Sequence, residues 1–358
     1  MNNPACLLVN PIGDAMETDK LRFATIGAGF WTHYQLAGWS EIPSVQCVAI
    51  SNRTTSKADL VAHEFGISRV YADPYQMLRK EKVDFVDIVT DVDTHSTFVK
   101  MAAELKIPVV CQKPMASNYT SAQEMVRVCG QAAIPFFVNE NWRWQTPIRE
   151  LKRVLDSGVI GIPFRARLDM ISGFPVFRNQ PFLKSLDHFI LTDLGSHILD
   201  VARFLFGEAT SLFCQIHKVH KDIAGEDVAT VVLKMNSQTS VTVNLAYAEN
   251  YLERECFPQT LIFVEGDQGS AEISPDYFVR VTTSSGTVAT LHAPPHFSWA
   301  DPSYEVVHSS IVPCQRNILL GLRGGAAETT GEDNLKTAKL VFASYESAAN
   351  NKVIALES

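Results

Sequence analysis

Asp193 and His197 stand four residues apart where an apolar run, Ile198–Phe206, begins. On a helix that spacing puts both side chains on one face. A histidine there titrates near neutrality and can take the proton of a hydroxyl group. The same spacing also suits a structural pair, with Asp193 capping the helix and His197 packed in a core or left at the surface. Lys113 follows the short apolar strand Val109–Cys111 and precedes Pro114, whose ring restricts the turn. An ammonium at a strand end can steady negative charge growing on a substrate oxygen. A lysine opening a loop can equally be an idle, solvated charge. Spacing alone leaves both pairs of readings open.

A third candidate is Gly27-Ala28-Gly29-Phe30-Trp31-Thr32, entered from the apolar strand Phe23–Ile26 and followed by a helical pattern. Gly27 permits a tight turn, and the bare Cα of Gly29 lets a pyrophosphate approach the backbone. The helix N-terminus then offers free N–H groups to the anion. Thr32 occupies the third glycine position, so the fingerprint is incomplete, and an ordinary strand–helix turn is the alternative.

The elements that must position these residues alternate from Leu21 to about Asn139. Strands are expected at Phe23–Ile26, Val45–Ile50, Phe85–Val89, Val109–Cys111 and Phe136–Val138, with helices at Thr55–Phe65, Thr94–Leu105 and Thr120–Gln131. Short apolar strands between helices predict a doubly wound parallel sheet, buried on both faces. Ligands of such sheets lie beyond the carboxyl ends of the strands. Those ends read Gly27, Ser51-Asn52-Arg53, Thr90-Asp91, Gln112-Lys113-Pro114 and Asn139-Glu140-Asn141. The second end carries no acidic residue to grip a ribose and repel a 2′-phosphate. Asn52 can still bind a ribose hydroxyl, while Arg53 and Lys57 can meet adenine or a phosphate or simply face solvent. NAD and NADP both stay open.

From about residue 142 the pattern changes. A helix is expected at Pro147–Leu155 and strands at Pro163–Ile171, Leu212–Val219, Val228–Met235, Ser240–Ala246 and Leu261–Val264, the later ones forming a mostly antiparallel sheet. Helices at Val306–Leu320 and Glu332–Ala349 close the chain. The aromatic and donor-rich stretch Glu140–Gln145 enters this half and suits either a polyhydroxylated ring or an interdomain core. Residues 172–188, rich in Phe, Pro and Asn, can form a lid. The expected division is a lead-in over 1–20, a dinucleotide-binding domain over 21–141 and a substrate and assembly domain over 142–358.

Composition limits the classes. The 358 residues are 46% hydrophobic, enough for two cores, and the net charge of −8 argues against nucleic acid or an anionic membrane as partner. Seven cysteines without C-x-x-C spacing fit free thiols in a reducing cytoplasm, and no His/Cys/Asp cluster has the spacing of a metal site. No apolar run has the length of a membrane span, and the first twenty residues lack a signal-peptide pattern. A soluble, cytoplasmic protein is expected.

Four motifs in order resemble the Gfo/Idh/MocA oxidoreductases, named for glucose–fructose oxidoreductase and inositol dehydrogenase. They are GAGFW at Gly27–Trp31, DIVT at Asp87–Thr90 with His95, QKP at Gln112–Pro114, and D-x-x-x-H at Asp193–His197. The resemblance runs from about Leu21 to the C-terminus, with Gln112 where the family usually has Glu and Thr32 where it has Gly or Ala. It implies a Rossmann domain followed by an α/β domain on a large open sheet. It also implies a nicotinamide cofactor held by Gly27, Ala28, Gly29, Phe30, Trp31, Asn52, Arg53, Lys57, Thr90, His95, Gln112, Lys113 and Asn141. His197 is then the general base, Lys113 steadies the same oxygen, and Asp193 orients the lysine or a substrate hydroxyl. Trp142, Arg143 and Trp144 would join them around a neutral sugar or polyol.

Within the family, WRWQ at Trp142–Gln145, NQPF at Asn179–Phe182 and TDLGSH at Thr192–His197 look most like aldose dehydrogenases, those oxidising D-apiose to its lactone with NAD. Two alternatives are an NADP-dependent reductase of a sugar ketone or aldehyde and a non-catalytic dinucleotide-binding regulator. Retention of Lys113, Asp193 and His197 favours an enzyme over the regulator. The open sheet, apolar on both faces, predicts a homodimer or homotetramer.

Overall fold

A computed structural model describes residues 20–248 and 259–356, so the expected lead-in lies outside the described residues except for Lys20. The first half alternates as expected: β1 (Leu21–Ile26), α1 (Phe30–Ser40), β2 (Val45–Ser51), α2 (Thr55–Phe65), β3 (Val70–Tyr71), α3 (Pro74–Lys80), β4 (Phe85–Ile88), α4 (Val92–Glu104), β5 (Val109–Cys111), α5 (Tyr119–Ala132) and β6 (Phe136–Val138). The six strands pair in parallel in the order β3-β2-β1-β4-β5-β6. Phe85, Val86, Ile88 and Val109–Cys111 are wholly buried, because helices cover both faces of the central strands. The order reverses between β1 and β4, so the loops leaving these strands diverge and open a crevice.

The second half contains α6 (Thr146–Asp156), β7 (Pro163–Ser172), α7 (Val176–Asn179), α8 (Ser196–Phe206), β8 (Ala209–His217), β9 (Val228–Met235), β10 (Ser240–Tyr247), β11 (Leu261–Gly266), β12 (Gly269–Ser274), β13 (Phe278–Thr283), β14 (Gly286–Leu291), α9 (Glu305–Leu322), α10 (Gly331–Asn350) and β15 (Ile354–Ala355). Its nine strands run in the order β14-β13-β12-β11-β7-β10-β9-β8-β15, antiparallel except for the parallel pair β7–β10. Strand alternation divides the faces: Ala229, Val231, Leu233 and Met235 of β9 are buried, whereas Thr230, Val232 and Lys234 are exposed. Helices α6, α8 and α10 pack against this sheet. The opposite face carries charge pairs such as Arg165–Glu265 and Arg167–Asp169.

The C-terminal helices do not belong to the second sheet alone. Val312, Cys314, Ile318 and Leu319 of α9 complete a core with Phe23, Leu36, Trp39 and Phe85 of the first half. The Gln315 amide donates to the Gln35 carbonyl and to its Oε1, both at 2.9 Å. Val138 N–H donates to the Thr329 carbonyl at 2.9 Å. The strands of the two sheets are separate in sequence, β6 ending at Val138 and β7 beginning at Pro163, while α9 and the segment after it also cover the first sheet. Among the described residues no helix is long and apolar enough to cross a membrane.

Candidate active site

At the carboxyl end of β1 the two glycines do different work. Gly27 has φ +114°, and a Cβ there would lie 1.9 Å from the Val89 carbonyl oxygen, so only glycine fits between β1 and β4. Gly29 has φ −93° and nothing within 4 Å of the position a Cβ would take, leaving open space in front of α1. Thr32 explains its own departure from the glycine pattern. Its Oγ1 accepts the Gly29 N–H at 3.1 Å, and its N–H donates to the Gly29 carbonyl at 3.1 Å, closing the first turn. The first turn carries no acidic side chain, which would repel an anion. An exposed, uncharged helix start with space before it fits the pyrophosphate of a dinucleotide.

Lys113, at the end of β5, meets a segment eighty positions further along the chain. Its Nζ donates to Asp193 Oδ1 at 3.0 Å and to the Asp193 carbonyl at 3.3 Å, with both side chains only 15% exposed. Asp193 does not cap a helix. It sits in a π-helical turn, Leu191–Gly195, that runs directly into α8. Glu226 secures that turn: its carboxylate accepts the N–H groups of Phe189 at 3.3 Å and Leu191 at 3.2 Å and the Tyr345 hydroxyl at 2.6 Å. His197 lies one turn on, in α8. Its Nδ1 is 2.6 Å from Oε1 of Glu140, just past β6, and its ring stacks on Trp142 at 4.3 Å between centroids. Burial, and next the Lys113 charge, push the His197 pKa well below the usual histidine value, so its imidazole is neutral. Burial lifts the Glu140 carboxyl to about 7.

Lys113, Trp142, Asp193 and His197 line one pocket together with Gln112, Asn141, Trp31, Gln35, Gln180, Tyr247 and Tyr304. Gln112 Oε1 turns back to accept the Lys113 N–H at 2.9 Å, fixing the loop that carries the lysine. Asn141 is buried, donating to the Val307 carbonyl at 3.0 Å and Ser310 Oγ at 2.7 Å, which ties the β6 loop to α9. Gln180, which follows α7, brings the expected lid segment to the pocket wall.

Other residues singled out in the sequence have different places. His95 is 1% exposed, with ring nitrogens 3.1 Å from the carbonyl oxygens of Thr90 and Pro114; it braces two loops of the crevice instead of facing it. Arg143 grips Asp200 through Nε at 2.7 Å and Nη2 at 2.6 Å, and Asp333 at 2.9 Å, pointing into the packing of α8 and α10. Trp144 packs under the Arg149 guanidinium, 4.4 Å from its ring centroid. Neither is in the pocket wall, because a short 3₁₀ turn, Trp142–Trp144, points successive side chains to different sides. Ala28 is buried, Phe30 partly exposed beside Trp31, and Arg53 and Lys57 exposed at the end of β2. Asn52 Nδ2 donates to the Thr54 carbonyl at 2.9 Å. Tyr247 and Tyr304 escaped sequence reasoning, and Glu140 was read only as part of the stretch Glu140–Gln145, not as a partner of His197. Only Glu140 left a signal, a carboxylate in an apolar strand-end setting. Among the described residues no group of three His, Cys, Asp or Glu side chains could hold a metal ion.

A dinucleotide-type sheet whose carboxyl edge faces a half-buried lysine and aspartate and a buried histidine is the architecture of a nicotinamide-dependent oxidoreductase. Residues 21–140 match the oxidoreductase family with the NAD-binding Rossmann fold, and residues 148–272 match the Gfo/Idh/MocA C-terminal domain. The chain belongs to the Gfo/Idh/MocA oxidoreductase family. It is 40% identical to a D-apiose dehydrogenase of Paraburkholderia graminis over 95% of this chain and 90% of that one. It is 41% identical to a D-apiose dehydrogenase of Rhizobium rhizogenes, over 95% and 98%. An oxidoreductase from Agrobacterium radiobacter, solved in complex with NAD+, L-tartaric acid and magnesium, superposes with a TM-score of 0.91 at 41% identity, covering 94% of this chain and 98% of that chain. The protein is an NAD(P)-dependent sugar dehydrogenase of this family.

Proposed function

We propose that this enzyme oxidises a ring hydroxyl of a neutral aldose, D-apiose or a close analogue, to the lactone, with NAD as oxidant. The observation that carries the reading is the convergence of Lys113, Asp193 and His197 on one pocket at the carboxyl edge of the dinucleotide sheet. Glutamines, an asparagine, tyrosines and tryptophans form much of the remaining wall, and among the described residues no arginine lines it. Such a wall suits an uncharged polyhydroxylated ring better than a phosphate ester. Arg143 is committed to Asp200 and Asp333, and Arg167 to Asp169 on the open sheet face.

NAD held over the Gly27–Thr32 loop would supply the acceptor for the hydride from the substrate carbon. The protein supplies the rest. His197, neutral and with Nδ1 turned to Glu140, has Nε2 left to take the hydroxyl proton. Lys113 donates to the same oxygen and stabilises it as the O–H bond weakens. Asp193 keeps the ammonium aimed into the pocket through its 3.0 Å contact. The sheet face opposite α6, α8 and α10, which no described helix covers, has Ile171 39% and Val232 40% exposed among the charge pairs; it supports a homodimer or homotetramer assembled there, which light scattering tests. The unpaired described cysteines fit a reducing compartment such as the cytoplasm.

The decisive experiment is a turnover screen of aldoses and polyols with NAD and NADP. The expected outcome is NADH formation with D-apiose or a similar aldose, with a lactone as product. Absence of turnover with every sugar, alongside retained dinucleotide binding, would instead support the regulator.

A further inference from the structure

We infer that Glu140 and His197 act as one proton-accepting unit in which Glu140 is the final resting place of the charge released by the substrate hydroxyl. The inference rests on the dehydrogenase reading above, in which His197 is the base. Its own ground is geometric. The two side chains are 0% and 5% exposed, and Nδ1 to Oε1 is 2.6 Å, short enough for a proton to pass between them. Oε1 also accepts the Trp142 N–H at 3.2 Å, while the second oxygen, Oε2, is buried with no hydrogen-bond partner among the described residues. A purely structural carboxylate, brought into a core to hold a ring, would leave such an oxygen charged and unsatisfied, which is costly. As a carboxylic acid, Glu140 would not carry that uncompensated charge.

The surroundings favour transfer through the ring over storage on it. Lys113 faces His197 from the end of β5, so an imidazolium would stand beside an ammonium. Asp193 from the π turn and Asp200 from α8 oppose that repulsion, but Lys113 and Arg143 already contact them. Around Glu140 stand Lys113, Arg143, Asp200 and the Cys314 thiol of α9, which burial holds protonated. Burial raises the Glu140 carboxyl to about 7 and depresses His197, so the pair takes up its proton near neutrality as a unit. The bonds balance simply. The substrate O–H breaks as Nε2–H forms, and Nδ1–H breaks as an O–H forms on Glu140. The electron pair of the C–H bond leaves with the hydride, as the family reaction requires. The ring ends neutral, in its other tautomer.

Oxidation should therefore need the deprotonated pair, and kcat/KM should fall as pH drops through about 7. Glu140→Gln keeps an acceptor for Nδ1–H and nearly the same shape, but cannot hold the proton. It should lower kcat by about 10²-fold and move the acid limb to lower pH, because His197 then titrates alone with a depressed pKa. Glu140→Asp retains a carboxylate one methylene short; it should keep the acid limb and recover part of the rate. Selective 15N-histidine NMR on the full chain, with His197 assigned by its loss in His197→Asn, reads the pair without turnover. The expected spectrum has Nδ1 protonated at high pH and a transition near 7 that Glu140→Gln displaces. A folded Glu140→Gln enzyme with near-parental rate and an unmoved pH limb would overturn the inference. An unmoved NMR transition would overturn it even if no sugar were turned over. Loss of turnover in the parent itself, with the NMR transition displaced as expected, would sink the dehydrogenase reading and leave the pair intact.

Discussion

The two ends of the crevice solve different problems with different materials. At Gly27–Thr32 the site is backbone: open space before α1, free of side-chain charge, closed by one threonine. At Lys113, Glu140, Asp193 and His197 it is side chain: four ionisable groups, interlocked at 2.6–3.0 Å and largely shut off from solvent. A backbone site needs a short local motif, whereas a proton-transfer site needs partners gathered from β5, the β6 loop and the turn before α8. Damage to the first should cost affinity, and damage to the second should cost rate.

The largest effect is expected in the side-chain region. His197→Ala should lower kcat by about 10²–10⁴-fold, the range for losing a positioned acid–base group. Its NAD affinity, measured by calorimetric titration, should stay near that of the parent, because the residue is on α8 and not on the dinucleotide sheet. Lys113→Ala should also lower kcat, and the two losses should combine less than additively if both groups act on one oxygen. Near-normal turnover in His197→Ala would shift the base role to Lys113.

Arg143 tests where the catalytic cluster stops. It was expected against the sugar, but it is 5% exposed and clamps Asp200, which is wholly buried. Arg143→Met would leave that carboxylate without its main partner, although Arg203 at 3.8 Å and Thr337 Oγ1 at 3.0 Å remain. The expected cost is about 3–5 kcal/mol of stability, seen as a lower midpoint in urea. The sugar KM of the folded fraction should barely change. A raised KM with unchanged stability would return Arg143 to the substrate.

This contrast also explains what could be read from the chain. The parallel sheet was legible because fully buried strands leave unbroken apolar runs, as at Val109–Cys111 and Phe136–Val138. The two-residue strand β3 and the seven-residue helix α3 were too short to leave a period, although Asp73-Pro74 carries a start signal that the structure uses: Asp73 accepts the Tyr75 N–H. Strands β12 to β14 were not delimited, since every residue of β14 is exposed and so shows no alternation. At the site, Asp193 and His197 do share a pocket, but the intervening winding is π-helical, and each side chain takes a different partner. Glu140 was invisible as their associate because no local spacing links it to a histidine fifty-seven positions away. Motif residues can also be braces, as His95 is, when the loops around a crevice need support from below.

In the backbone region the two glycines make a sharper test. Gly27→Ala would place a Cβ 1.9 Å from a carbonyl oxygen at a positive φ, so loss of binding there would mean only a damaged fold. Gly29→Val meets no protein atom within 4 Å and keeps an ordinary φ of −93°. It should fold and melt like the parent while binding NAD about 100-fold more weakly, roughly 2.8 kcal/mol, through a clash with the pyrophosphate. Unchanged affinity in a folded Gly29→Val protein would remove the dinucleotide from this loop.

The smallest effect is expected beyond the end of β2, at Arg53 and Lys57. Arg53 and Lys57 are exposed, and the Asn52 side chain, at the strand end, is suited to a ribose hydroxyl. If NAD is the working cofactor, the adenosine 2′ position carries a hydroxyl, and these cations have no phosphate to grip. Removing both, in Arg53→Ala/Lys57→Ala, should then change kcat/KM for NAD by less than about fivefold, since exposed charges contribute at most about 1 kcal/mol. The parent should use NAD at least as well as NADP. Salt supplies an internal control: weak surface attraction to the pyrophosphate fades with ionic strength, whereas a dedicated phosphate clamp would give NADP alone a steep salt dependence. A parental preference for NADP that collapses in the double variant would assign Arg53 and Lys57 to the 2′-phosphate. It would also show that a missing carboxylate at this strand end had reported cofactor choice more faithfully than the presence of Asn52.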